Sequence, residues 1–138
     1  MRKMGIDFGD ARVGLALSDL LGWTAQGLET MKKKGKGDRE VAEAIFEMAK
    51  NNEVDTFVMG LPKNMDGTIG ERAIRTQEFA KILEEVSGID VVFRDERLTS
   101  VAAKNAIHDM GKKVGQNKGA VDRIAAVYIL QGYLDSNN

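Results

Sequence analysis

Met4-Gly5-Ile6-Asp7-Phe8-Gly9-Asp10-Ala11-Arg12-Val13-Gly14-Leu15-Ala16-Leu17 is the stretch that decides how this chain folds. Residues 4–8 and 13–17 are apolar runs of strand length, and Gly9-Asp10-Ala11-Arg12 between them is a tight connecting segment. The pattern predicts a hairpin that opens a sheet. Asp7 interrupts it: a carboxylate near the middle of a strand, between Ile6 and Phe8, needs a reason, because burying an unpaired charge is costly. Taken alone, it is equally well a side chain facing water from a half-exposed strand.

Beyond the hairpin, residues 24–31 read as a third strand, followed by the polar run Lys32-Lys33-Lys34-Gly35-Lys36-Gly37. Asp38 is placed to cap a helix that carries Val41, Ala44, Ile45 and Met48 on one face. Residues 54–59 form a short apolar run of the kind found in buried strands. After the polar loop 63–70 comes a second helix with the stripe Ile74, Phe79, Ala80, Leu83 and Val86, closed by Gly88. Residues 90–94 predict a fifth strand. Thr99 or Ser100 can cap a third helix with Ala103, Ala106, Ile107 and Met110 inward. A glycine-rich polar loop at 111–119 precedes a last helix at 121–134, apolar on nearly all sides and so deeply buried or covered by a partner. Three strands in meander followed by alternating helices and strands predict an α/β fold with an antiparallel start and a parallel continuation.

Composition limits the possibilities. A length of 138 residues suits one domain, 1–138, and 43% hydrophobic with 30% charged residues is ordinary for a soluble protein. No stretch reaches the length of a membrane span, and no secretory apolar core follows Met1-Arg2-Lys3. The absence of cysteine excludes disulfides and thiolate metal sites and fits a reducing cytoplasm. A net charge of -1 means that any contact with nucleic acid relies on a local basic patch.

Three carboxylates stand where such a fold places ligands. Asp7 lies in the first strand, Glu96 follows the last, and Asp122 heads the final helix. Each has an ordinary explanation: Asp7 as above, Glu96 as a solvated loop acid, Asp122 as an acid favoured at a helix start. Together they can converge on one point at the carboxyl ends of the strands. Three close carboxylates repel unless a cation intervenes, and all-oxygen donors suit Mg²⁺ or Mn²⁺. Such ions stabilise the attacking and leaving oxygens of a phosphodiester displacement. No thiol competes as a nucleophile, and the single histidine, His108, reads as a surface residue.

Gly5-Ile6-Asp7-Phe8-Gly9 with Arg12-Val13-Gly14-Leu15-Ala16 resembles the opening motif of the YqgF/RuvX family. Its members are described as pre-16S rRNA nucleases and as Holliday-junction-resolvase-like proteins. The likeness continues through residues 60–68, Asp95-Glu96-Arg97-Leu98-Thr99 and Val121-Asp122-Arg123-Ile124-Ala125-Ala126, four blocks in order over nearly the whole chain. It implies a ribonuclease H-like fold, a five-stranded mixed sheet flanked by helices, with metal-binding catalytic acids at Asp7, Glu96 and Asp122. Whether Asp95 joins them stays open.

The expected contacts to nucleic acid are Arg12 and Arg97, which adjoin the acids, Lys63 and Asn64 in the glycine-rich loop 60–70 that leads into a helix start, and Lys112, Lys113 and Lys118 in the loop before the last helix. Lys32, Lys33, Lys34 and Lys36 read as solvated, and Trp23 as a core or hairpin-edge residue. The expected activity is metal-dependent hydrolysis of phosphodiester bonds, most simply at the 5′ end of pre-16S rRNA, with RNA favoured over a DNA junction. Ribosomal precursor particles are the expected partners, and the expected form is a monomer or weak homodimer. Two other readings remain: a Holliday junction resolvase, and a non-catalytic nucleic-acid-binding module of ribosome assembly. An actin-like ATPase shares the Asp-x-Gly hairpin but normally needs two such domains, and this chain supplies one.

Overall fold

A computed structural model describes residues 1–96 and 118–137. Five strands and three long helices follow in the order β1 (Arg2–Phe8), β2 (Arg12–Ser18), β3 (Ala25–Lys32), α1 (Asp38–Asn51), β4 (Val54–Leu61), α2 (Glu71–Ser87), β5 (Asp90–Asp95) and α3 (Lys118–Asn137). The sheet order is β3-β2-β1-β4-β5. β1, β2 and β3 pair antiparallel, whereas β4 and β5 join β1 in parallel. The mixed five-stranded sheet expected from the sequence is what forms.

Strand alternation gives the sheet two cores, one on each face. Met4, Ile6 and Phe8 of β1, Val13 and Leu15 of β2, and Phe57 and Met59 of β4 point to one face. There they meet Val41 and Ile45 of α1 and Phe79 and Leu83 of α2. The Phe8 and Phe79 rings stack 4.2 Å apart, which pins α2 to the end of β1. On the other face Ala16 and Val58 meet Ala126, Ile129, Leu130 and Leu134 of α3. Small residues make that second contact close. A Cβ on Gly5 would stand 2.7 Å from both the Ala126 carbonyl oxygen and the Leu130 Cβ. On Gly14 it would overlap the Asp122 carbonyl. The helix therefore rests directly on the backbone of β1 and β2.

Several local expectations are corrected. Asp38 does not cap α1; Gly37 holds the cap position without a side-chain bond, and Asp38 accepts from Arg75 Nη2 of α2 at 2.6 Å. The ion pair across α1 and α2 outcompetes the local cap. Ile74, placed in the inward stripe of α2, is 49% exposed, and Ala73 and Thr76 are buried instead. Trp23 is 63% exposed on the β2–β3 connection, so it lies at the hairpin edge and not in the core. α3 begins at Lys118, inside the segment expected to be loop. The expected third helix, His108, Arg97, Lys112 and Lys113 lie outside the described residues, as do the side chains of Lys118 and its two successors.

Candidate active site at the carboxyl end of the sheet

β1, β4 and β5 run parallel, so their carboxyl ends open along one edge of the sheet, where ligands of α/β proteins bind. Alternation puts Asp7 on the α3 face, because its neighbours Ile6 and Phe8 are committed to the opposite core. Its partner across the ladder is Gly14, whose lack of a side chain lets the first turns of α3 descend onto it. Glu96 follows β5 and folds back over Gly60 of β4: a Cβ there would stand 2.6 Å from Glu96 Oε1. Arg94, two residues earlier, has its guanidinium against Gly132 of α3. Asp95 between them, paired with Leu61 across the ladder, falls on the opposite face of the strand.

Asp7 records the company it keeps. Its pKa is pushed up from 3.8 to about 7, first by burial, then by the negative charges of Glu96 and Asp122, with Arg72 partly offsetting them. Of the three acids singled out in the sequence, Glu96 and Asp122 therefore lie near enough to act on Asp7. They are not yet gathered as ligands. Arg12 Nε donates to Asp122 Oδ2 at 2.5 Å, and no three acidic or imidazole side chains among the described residues surround a common point closely enough to hold an ion. The donor chemistry, oxygen only and with excess negative charge, suits a hard divalent cation.

The raised pKa has a measurable consequence. The folded state holds the Asp7 proton between pH 3.8 and about 7, where the unfolded chain releases it. The associated stability is complete below the lower value and is lost as pH rises through the upper one. In EDTA, Asp7→Asn should therefore gain melting temperature relative to wild type as pH rises from about 4 to about 8. A difference that stays flat across that range would refute the coupling.

Beside the acids lies an open cleft of about 580 Å³ lined by Pro62, Lys63, Asn64, Gly70, Arg72 and Glu96, among others. Its wall is a compact turn. Asn64 N donates to the Thr68 carbonyl at 3.0 Å, Asn64 Nδ2 to Thr68 Oγ1 at 3.0 Å, and Thr68 N to Asp66 Oδ1 at 3.0 Å. Gly67, at φ 88°, supplies the left-handed residue that the turn requires. Gly70 precedes α2 without a side-chain cap, and with Glu71 and Arg72 it brings the start of the helix to the cleft wall. Lys63 and Asn64 share this cleft with Glu96. Arg12 stands beside the acids too, though engaged with Asp122 and not free. Arg72 was not singled out as a site residue, because its approach to Asp7 depends on how α2 docks.

The chain matches, over residues 1–136, the family model described as RuvX: Holliday junction resolvase. A protein of Acetivibrio thermocellus named "Putative pre-16S rRNA nuclease" is 51% identical over 138 residues, covering 99% of this chain and 96% of its own. One of Bacillus subtilis with the same name is 45% identical over 139 residues, with 100% of each covered. Among solved structures, Thermus thermophilus RuvC in complex with a Holliday junction substrate superposes with a TM-score of 0.65 at 13% identity, covering 99% of this chain and 95% of that one. Fowlpox virus resolvase with Holliday junction DNA gives 0.59 at 12% identity, with 99% of each covered. These two likenesses concern the fold, which is the ribonuclease H-like arrangement. The chain belongs to the RuvX family.

Proposed function

We propose that this chain is a divalent-metal-dependent nuclease that hydrolyses phosphodiester bonds with Asp7, Glu96 and Asp122, and that its substrate is the 5′ end of precursor 16S rRNA. The observation that carries the reading is the negative charge that Glu96 and Asp122 bring to bear on the buried Asp7, seen in its raised pKa. A cluster that costs folding energy is retained where it serves chemistry. Family membership and the nuclease names of relatives at 51% and 45% identity support the same reading.

Asp7, Glu96 and Asp122 would hold Mg²⁺ or Mn²⁺, which when bound lowers the pKa of water and stabilises charge on phosphate oxygens. The chain's own residues do the rest. Arg12 keeps Asp122 oriented beside Asp7. Lys63, Asn64 and Arg72 line the cleft and orient the phosphate backbone next to Glu96. Arg97, Lys112, Lys113 and Lys118 extend that contact in the same proposal. It acts as one domain, 1–138, in the cytoplasm, on ribosomal precursor particles, as a monomer or weak homodimer. Among the described residues no helix is long and apolar enough to cross a membrane.

A second reading, resolution of Holliday junctions, has the family description and the fold of RuvC in its favour. It demands two active sites on a two-fold dimer, and a broad basic surface for four duplex arms. The net charge of -1 weighs against that surface. The deciding experiment compares cleavage of a labelled precursor rRNA 5′ end and a four-way DNA junction in Mn²⁺, with the mass in solution measured alongside. Cleavage of the RNA is expected. Paired symmetric nicks in the junction by a tight dimer, with the RNA intact, would overturn the choice.

A further inference from the structure

The lysine run after β3 reads as solvated in the sequence, yet the fold fastens it to the candidate site. Lys33 N donates to the Ala11 carbonyl at 3.0 Å, and its Nζ donates to the Gly9 carbonyl at 2.8 Å. The same ammonium lies 3.9 Å from the centre of the Phe8 ring. Lys36 N closes a turn onto the Lys33 carbonyl at 3.0 Å, with Gly35 at φ 77°. Gly9 and Ala11 belong to the short turn between Asp7 and Arg12, so the run and the acids share one rigid connection.

Charge placement is the second observation. Lys32 pairs directly with Arg12 across the β2–β3 ladder, so both side chains leave the sheet on one face. Like charges in that position repel, and the fold keeps them. Lys32, Lys34 and Lys36 are exposed, and none has a carboxylate partner among the described residues. Three exposed cations with no carboxylate in ion-pair distance among the described residues, beside an arginine, suit a polyanion. Sheet order sets the direction. The Lys63–Arg72 cleft lies on the β4 side of Asp7, and the lysines lie on the β3 side. From β4 to β3 is three inter-strand spacings, roughly 14 Å, which is more than one nucleotide needs.

We propose that Lys32, Lys34 and Lys36 form a second phosphate contact for the nucleic-acid strand whose other flank lies in the Lys63–Arg72 cleft, so that the backbone crosses the sheet end over Asp7. This rests on the nuclease reading above. Chain on both sides of the acids means that the substrate is held on either side of the bond to be cut. Lys33 is left out of the contact, because it is spent on fastening the loop.

The test is the affinity of the full chain for a fluorescent single-stranded RNA, measured in EDTA over a range of salt. Replacing Lys32, Lys34 and Lys36 together by Ala should make the log–log salt slope shallower by about 2, from roughly 0.7 per lost phosphate contact on a single strand. Replacing Lys50 and Lys81, on α1 and α2, should leave it unchanged. The melting temperature of the triple variant should not fall, since the repulsion between Lys32 and Arg12 is relieved. A wild type that binds RNA, with the triple variant keeping its slope, overturns this inference and leaves the nuclease reading standing. A wild type that neither binds nor cleaves RNA overturns both.

Discussion

Asp7→Asn, Glu96→Gln and Asp122→Asn should each lower Mn²⁺-dependent cleavage by on the order of a thousandfold or more, about 4 kcal/mol of transition-state stabilisation. Glu96 and Asp122 both bear on Asp7, so a change at either alters the charge that Asp7 sees. A metal site fails as a unit, so the triple variant should be no worse than the worst single one. Folding should survive, because each change removes charge and keeps shape. Calorimetric titration with Mn²⁺ separates loss of ion binding from loss of a later step, and thermal melts exclude unfolding. Full activity in purified Asp7→Asn would remove the basis of the mechanism.

Gly14→Ala should cost about 3 kcal/mol or more, the upper end of overpacking effects, although the change is one methyl group. The added carbon would occupy the space of the Asp122 carbonyl, and backbone cannot rotate out of the way as a side chain can. Either α3 lifts from the sheet or β2 bends. Both displace Asp122 from Asp7, so activity should fall with stability. Gly27→Ala is the natural comparison: its nearest neighbour is the Arg123 Cβ at 3.3 Å, and the rest of that side chain is flexible. Urea melts should show a small loss there and a large one at Gly14. Equal stability of the two variants would mean that the close seat of α3 is not what positions the site.

How far the sequence could be read follows from where each decision is made. The alternation of Met4, Ile6 and Phe8 against Gly5 and Asp7 is local, and it set both the hairpin and the face on which Asp7 stands. The order of helices and strands then left few topologies, and the observed one is among them. That Asp7, Glu96 and Asp122 stand near one end of the sheet was legible because the first strand, the end of the last strand and the start of the final helix follow from chain order. Asp38 and Ile74 were misjudged because the packing of α1 against α2 decides them: Arg75 takes the carboxylate, and the buried stripe shifts to Ala73 and Thr76. Arg72 and the lysines after β3 gain meaning only when loops distant in sequence meet at one sheet edge. The grip of Arg12 on Asp122, across 110 positions, has no sequence signature.

The loop joining β2 to β3 suggests a practical use for the shape of the chain. Strand β2 starts at Arg12 beside the acids and runs away from them, so the loop bearing the exposed Leu20, Leu21 and Trp23 occupies the far pole. That loop is stiff: Asp19 Oδ1 accepts from Trp23 N at 2.8 Å, and Gln131 of α3 donates to the Trp23 carbonyl at 2.9 Å. An anchor introduced there, such as a cysteine at Leu21 for coupling to a surface or dye, would orient every molecule alike with its cleft facing solution. The indole of Trp23 would meanwhile serve as a built-in emission probe that reports on the anchored end and stays silent about the cutting end.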